Sequence, residues 1–315
     1  MKAAVVDRYG PPDVVRIDEV PRPEPRPDEV LVRVRAVAVT SADARIRGAR
    51  FPSGFAPFAR LVFGIRRPRR PVLGSSFSGE VVAVGARVRD RAPGDEVCGM
   101  TGIKLGAHAE YAAVPAGKLV RKPAAVSHED AAGLLFGGQS ALYYLRDKGK
   151  VGPGMSVCVN GASGALGTNA VQLARHLGAT VTAVTSTPNT ALVTGLGAAR
   201  VIDYTRDDLS GITERFDVVF DVVGNLSIAA GRRLLNPGGV LLLAVAGLAD
   251  TVRARGNVVA GPAPERPEDF AHLLQLAAEG TLTVVIDRTY DLADTAAAHH
   301  HVDTGRKTGN VILRP

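Results

Sequence analysis

Tryptophan is missing from this chain, and cysteine occurs only twice in its 315 residues. Cys98 and Cys158 lie far apart, which excludes a disulfide framework and a cysteine-rich metal site. Cys158 falls in a run of small apolar residues, where a thiol packs as one of them. No apolar run reaches the length that crosses a bilayer, and the first residues, MKAAVV, read as a β-strand too short for the core of a secretory signal. A cytoplasmic protein without a membrane partner is the expectation. Disorder is excluded by composition, with 46% hydrophobic and 22% charged residues and a mean hydropathy of +0.09. The length suits two domains of ordinary size or one large one. The net charge of +7 comes from arginines scattered over most of the chain, a pattern that does not indicate nucleic acid as partner. The densest cluster, Arg66-Arg67-Pro68-Arg69-Arg70, reads as a solvated loop.

What the chain does contain is a strand, a tight turn and a helix in residues 155–177, MSVCVNGASGALGTNAVQLARHL. Residues 155–160 are small and β-branched. The run breaks at Gly161 into Ala162, Ser163, Gly164, Ala165, Leu166 and Gly167, and Ala170, Val171, Leu173, Ala174 and Leu177 then recur at helical spacing. A dinucleotide requires this arrangement, because its pyrophosphate sits on the free N–H groups and positive end of the helix. Ala162 stands where the first glycine of the usual triplet would be, and a bare strand-to-helix turn is the alternative reading of the motif alone. Further strands at 179–185, 200–204 and 216–221 alternate with helical segments, which is the rhythm of a doubly wound parallel sheet. The strand at 179–185 ends at Ser186 and Thr187, about where an acid would hold the ribose of NAD. These hydroxyls and Asn189 predict NADPH over NADH.

Residues 1–122 lack that rhythm and read as mainly β. The ordered set Gly74-Ser75-Ser76-Phe77-Ser78-Gly79-Glu80-Val81, Gly94-Asp95-Glu96-Val97, Ala109-Glu110-Tyr111, the Ala-Ser-Gly-Ala-Leu-Gly turn and Val201-Ile202-Asp203-Tyr204 resembles the medium-chain dehydrogenase/reductase superfamily. Within it, the likeness is to the zinc-independent quinone oxidoreductase-like branch. The resemblance implies an α/β chain in two parts. A GroES-like, partly open β-barrel catalytic domain would take residues 1–122 and 285–315, and a Rossmann domain with a doubly wound parallel sheet would take 123–284. Ser127 with Glu129 and Asp130 reads as the cap and acidic first turn of a helix opening the second part. Relatives commonly dimerise through sheet edges, and residues 239–245, GVLLLAV, suit such an edge; a homodimer is expected.

Zinc-dependent members carry a cysteine at the segment matching residues 38–41 and Gly-His-Glu at the one matching 74–76. Here the positions hold Thr40, Ser75 and Ser76, and hydroxyls are poor zinc ligands. No metal is expected, and hydride addition to an activated acceptor is then favoured over alcohol oxidation.

The segment Thr40-Ser41-Ala42-Asp43-Ala44-Arg45-Ile46-Arg47 resembles the branch's Asn-Pro-x-Asp-x-x-x-Arg. By that resemblance Thr40 is either a hydroxyl donor to a substrate carbonyl or a strand-end cap. Asp43 orients the segment, pairs with an arginine or moves a proton, and Arg45 stabilises a developing enolate or faces solvent. Phe51-Pro52 matches a Tyr-Pro pair, which removes a phenolic proton donor. Phe51, Phe55, Phe58 and Phe63 read as the packed face of a helix, or, with Phe51 and Phe55 lining the substrate, as a lid. On the cofactor side the resemblance places Ser140 near the nicotinamide and Tyr204 near the adenosine 2′-phosphate. It sets Val223, Gly224, Ala244, Val245 and Asn310 along the cofactor. Asn189 falls where some relatives use lysine. The expected activity is reduction of a quinone or α,β-unsaturated carbonyl by NADPH. The alternatives are a crystallin-like NADPH-binding protein that also binds RNA, and a zinc-free alcohol dehydrogenase.

Overall fold

A computed structural model describes residues 1–207 and 211–315. The chain opens with a two-stranded ribbon, β1 (Lys2–Val5) against β2 (Arg16–Glu19). β3 (Glu29–Ala38), β4 (Ser76–Val84), β5 (Glu96–Met100), β6 (Tyr111–Pro115) and β7 (Leu119–Arg121) follow. β3 is the organising strand. β4 pairs antiparallel along it, and β6 covers the other edge of its first half, from Glu29↔Pro115 to Arg33↔Tyr111. Its valines alternate with exposed Arg33 and Arg35, so Val30, Val32 and Val34 point into a core shared with Phe77, Val81, Val97 and Val114. Two helices interrupt this part between β3 and β4, α1 (Ser41–Gly48) and α2 (Ala56–Phe63).

α3 (His128–Leu142) begins at Ser127, whose hydroxyl accepts the Asp130 N–H at 3.0 Å, with Glu129 and Asp130 in the first turn. It packs closely on the helix that begins at Ala165 because Gly137 has no Cβ. A methyl there would collide with the carbonyl of Ala165.

The second sheet is parallel throughout. Its elements are β8 (Ser156–Asn160), α4 (Ala165–His176), β9 (Thr180–Thr185), α5 (Thr190–Gly195), β10 (Arg200–Asp203), β11 (Phe216–Asp221), α6 (Ile228–Arg233), β12 (Leu235–Leu243), α7 (Leu248–Arg253), β13 (Val258–Ala260) and α8 (Pro267–Ala278). The strand order β10-β9-β8-β11-β12-β13 is the doubly wound order, with its reversal between β8 and β11. Val157, Val159, Val218 and Phe220 are buried against Leu134, Leu135, Val171, Leu173 and Leu273. One expectation changes here. The apolar run 239–245 lies mostly in β12, paired with β11 on one side and β13 on the other. It is an interior strand, and the edge is the three-residue β13.

The chain then returns through β14 (Ile286–Asp291), α9 (Thr295–Asp303) and β15 (Asn310–Arg314). β15 pairs with β14 and antiparallel with β3 at Ile312↔Ala38 and Leu313↔Val37. Just before it, the Gly309 N–H donates to Ser163 O at 2.8 Å, which joins the tail to the turn after β8. α1 is pinned to α9 by Arg47, wholly buried, 2.5 Å from the Asp303 carboxylate. Removing one partner of a buried ion pair leaves the other charge without compensation. Asp303→Asn is therefore expected to lower unfolding stability by about 3 kcal/mol, measured by urea titration, with the m-value unchanged.

Candidate functional site

A cleft of about 800 Å³ runs between the two sheets, bordered by Asn160 and Gly161 at the end of β8, by the 40–45 segment, and by the tail before β15. It lies at the carboxyl ends of the parallel strands, where the strand order reverses. Doubly wound sheets bind ligands in that position.

The turn into α4 forms one wall. Gly161, at φ +89, and Ala162 both donate to Val184 O, at 3.1 and 3.0 Å. This bends the chain sharply and sends the Ala162 methyl into the core, where it is fully buried. The expectation that Ala162 faces a ligand is corrected accordingly. Ser163, Gly164, Ala165, Leu166 and Gly167 do line the cleft. A methyl on Gly167 would overlap the Gly161 carbonyl and the Ala162 backbone, so glycine is what lets the helix sit on the turn. No side chain caps α4. Its first N–H groups and the helix dipole are left for an anion.

Beyond β9, Ser186, Asn189 and Tyr204 reach the cleft. Thr187 does not, because its hydroxyl donates to Asp203 and lies 3.0 Å from Thr205 Oγ1; this corrects its expected place. Asn189 bridges the walls, with Nδ2 3.2 Å from Ser163 Oγ and Oδ1 accepting the Thr308 hydroxyl at 3.1 Å. Beside it the tail contributes two cations the sequence reading missed, Arg306 and Lys307. Burial pushes the Lys307 ammonium down to about 8, against the pull of Asp287, and its Nζ donates to Gly309 O at 2.5 Å. The signal was a basic pair directly before the Thr-Gly-Asn that leads into β15.

At the carboxyl end of β11, the buried Asp221 carboxylate accepts the N–H groups of Val223, Gly224 and Leu226, each at 3.0 Å. That shapes the loop holding Val223 beside Ala244 and Val245 on the cleft wall. Gly224 sits beneath Val245, 2.8 Å from its Cγ1 for an added Cβ, and does not line the cleft. Ser140 and Asn310 do, with Ser140 donating to Phe136 O at 2.9 Å and Asn310 Nδ2 to Val285 O at 3.0 Å.

The opposite wall carries Thr40, Ser41, Ala42 and Arg45. Thr40 is the N-cap of α1 in a reciprocal box: its Oγ1 accepts the Asp43 N–H at 3.2 Å and donates to Asp43 Oδ2 at 2.6 Å. Its proton is committed, so the donor role is corrected to capping. Asp43 also accepts Thr40 N–H at 2.8 Å and Gly74 N–H at 3.0 Å. It is buried behind the cleft as an orienting carboxylate, with no arginine partner among the described residues; Arg47 pairs instead with Asp303. Arg45 lines the cleft. Burial, and then the nearby Arg50, lower its proton affinity, and among the described residues it makes no ion pair while Arg47 and Arg50 both close on Asp303. Phe51 and Phe55 are not cleft-lining residues. Phe51 stacks on Phe63 at 6.1 Å in a cluster with Ile46 and Leu105, while Phe58 is 58% exposed, so the four phenylalanines share no packed face. Of the remaining positions where zinc-dependent members place ligands, Ser76 is buried and donates to Ala132 O at 2.6 Å.

A single methyl tests the cofactor wall. Gly167→Ala is expected to weaken NADPH binding at least about tenfold, read by fluorescence titration, with the circular dichroism spectrum retained.

Residues 26–124 match the alcohol dehydrogenase GroES-like domain family, and residues 196–313 match the zinc-binding dehydrogenase family. The chloroplastic NADPH-dependent alkenal/one oxidoreductase of Arabidopsis thaliana is 31% identical over all of this chain and 80% of its own length. The quinone oxidoreductase of Pseudomonas aeruginosa is 30% identical over 98% of this chain and 97% of its own. The solved quinone oxidoreductase from Coxiella burnetii superposes with a TM-score of 0.89 at 28% identity, covering 100% of this chain and 99% of that one. Together with a doubly wound sheet whose reversal point opens on an uncapped helix, these likenesses place the chain in the medium-chain dehydrogenase/reductase superfamily, in its quinone oxidoreductase-like branch.

Proposed function

We propose that this chain is an NADPH-dependent, zinc-independent reductase that transfers hydride to a quinone or an α,β-unsaturated carbonyl. In this reading residues 1–122 and 285–315 form the catalytic domain and 123–284 the cofactor domain. The observation that carries the choice of acceptor is the state of the hydroxyls at the zinc-ligand positions. Thr40 gives its proton to Asp43 and Ser76 gives its own to Ala132 O, so neither is arranged around a metal. Without a Lewis acid, the acceptor must itself delocalise incoming charge.

The cleft fits NADPH by its donor set. The N–H groups opening α4 take the pyrophosphate. Ser186, Asn189 and Tyr204, with Arg306 and Lys307 opposite, take the 2′-phosphate, and no carboxylate lies among these five. Bound there, the cofactor supplies the hydride. Val223, Ala244 and Val245 form an apolar wall on one side of the cleft. Arg45 stands where negative charge would grow on the substrate oxygen. A guanidinium does not release its proton, so it stabilises charge, and solvent protonates the product.

With NADPH and no added metal, turnover is expected for quinones and enones and not for a simple ketone. Arg45→Ala should lower kcat/KM at least about tenfold. Oxidation of NADPH by the ketone as fast as by the enone, or stoichiometric zinc in the active protein, would overturn the reading; NADPH binding with no turnover would favour the binding-protein alternative.

Lys307 adds a pH dependence. Its protonated form attracts phosphate and is lost as pH rises through about 8. NADPH affinity should therefore fall by about tenfold between pH 7 and pH 9.5, while NADH stays weaker throughout, and Lys307→Met should flatten the profile.

A further inference from the structure

On the outer side of α1, away from the cleft, lies an apolar surface that the proposed reaction does not use. No residue of α2 is buried. Phe58, Leu61 and Val62 fall at spacing i, i+3 and i+4 on α2, so they share one face, and Ile65 follows directly after the helix ends at Gly64. They are 58, 60, 48 and 59% exposed. Ile103, 71% exposed, stands across a shallow cleft of about 190 Å³ whose rim carries Arg69, Arg70 and Lys104. Five of the nine large apolar side chains exposed among the described residues gather here, so this is a patch and not scatter.

The patch is held firmly. Phe63 stacks on Phe51 at 6.1 Å, the Tyr9 hydroxyl donates to Gly64 O at 2.6 Å, and Arg69 N–H to Phe63 O at 2.6 Å. Its charge is of one sign. Between Asp43 and Glu80 the chain has no acidic residue and eight arginines, at 45, 47, 50, 60, 66, 67, 69 and 70. Arg66, Arg67, Arg69 and Arg70 follow the apolar row directly, and all are exposed. A second copy seated on this face about a two-fold axis would bring two such clusters together, which their repulsion opposes. An anionic surface is what the charge fits. The apolar row is a convex helix face without polar groups to fix a partner's register, whereas a bilayer asks only for apolar depth beside cations.

We propose that α2 and the arginine run after it dock on an anionic lipid bilayer. Phe58, Leu61, Val62 and Ile65 enter the boundary between headgroups and acyl chains, and the four arginines hold lipid phosphates. The expectation of no membrane partner rested on the lack of a spanning run, which a surface-bound protein does not need.

The test is co-sedimentation of the full chain with vesicles of phosphatidylglycerol and phosphatidylcholine, and with phosphatidylcholine alone. Binding is expected to the anionic vesicles, with partitioning reduced at least about tenfold in high salt. A similar loss is expected for Phe58→Ser/Leu61→Ser and for the fourfold change of Arg66, Arg67, Arg69 and Arg70 to Gln, with NADPH binding intact in both. No partitioning, equal partitioning onto neutral vesicles, or variants that partition as the parent does would overturn the proposal. So would binding to polyglutamate without binding to vesicles, which assigns the face to an acidic protein, or an oligomer that Phe58→Ser/Leu61→Ser dissociates, which assigns it to a second copy.

Discussion

The substrate wall of the cleft depends on one buried carboxylate. Asp43 is 1% exposed and makes no ion pair among the described residues; its acceptor sites are filled by Thr40 N–H, the Thr40 hydroxyl and Gly74 N–H. A buried charge is tolerated only when such donors are in place. Here they come from Thr40 and from Gly74, 31 residues beyond Asp43, so the carboxylate fixes both segments at once. α1 starts where it does because Thr40 is capped, and Arg45 is presented to the cleft because α1 starts there. The turn at Gly74 is held against the same helix. The constraint that orients the wall also uses up the Thr40 proton.

The cofactor wall depends on the tail in a comparable way. The Ser163 carbonyl accepts Gly309 N–H, and Asn189 meets Thr308. The loop between α9 and β15 is braced by Asp287, whose Oδ2 accepts Thr308 N–H at 3.0 Å and lies 2.6 Å from His301 Nε2. Arg306 and Lys307 are thereby brought to a turn more than a hundred residues earlier in sequence. In the proposed function, the cations of this loop would substitute for the lysine that some relatives carry at the position of Asn189. The walls of the cleft are coupled through this loop, because β15, which follows it, pairs with β3.

The doubly wound half was legible because its signals are local. The glycines of the turn, the short apolar strands and the Ser127 cap each follow from neighbours within a few residues. The capping box at Thr40 is equally local, since Thr-x-x-Asp is its signature, and of the two roles expected of Thr40 the structure takes the cap, at the start of α1. Thr187 was misplaced because its fate depends on Asp203, a strand away. The basic pair at 306–307 is visible before Thr-Gly-Asn, but only the return of β15 to β3 brings it to the cleft. The β12 segment reads as an edge by its apolar composition, but β13, three residues after a polar stretch, covers it. Composition could not reveal a strand that short. In the 49–70 insert the phenylalanine spacing predicted a packed face, and the structure divides it: Phe51 and Phe63 pack on each other, while Phe58 joins Leu61 and Val62 outside.

The proposed chemistry follows from what the substrate wall can and cannot do. Among the three residues expected to act there, Thr40 lines the cleft with its proton engaged in capping, Asp43 is buried behind it, and Arg45 lines the cleft without an ion-pair partner among the described residues. Phe51 packs on Phe63 away from the cleft and has no phenolic proton to offer. A wall of this kind can stabilise negative charge, because an unpaired guanidinium in a partly dry cleft acts at low dielectric, but it cannot deliver a proton from its own side chains. It therefore suits acceptors whose reduced form is a stable oxyanion that water can protonate later. Quinones and conjugated carbonyls form such oxyanions on hydride addition. A simple ketone forms an alkoxide, which is far more basic and needs a proton or a metal as the hydride arrives. The selectivity would then lie in the basicity of the first-formed anion, with the shape of the cleft choosing among acceptors that pass that condition.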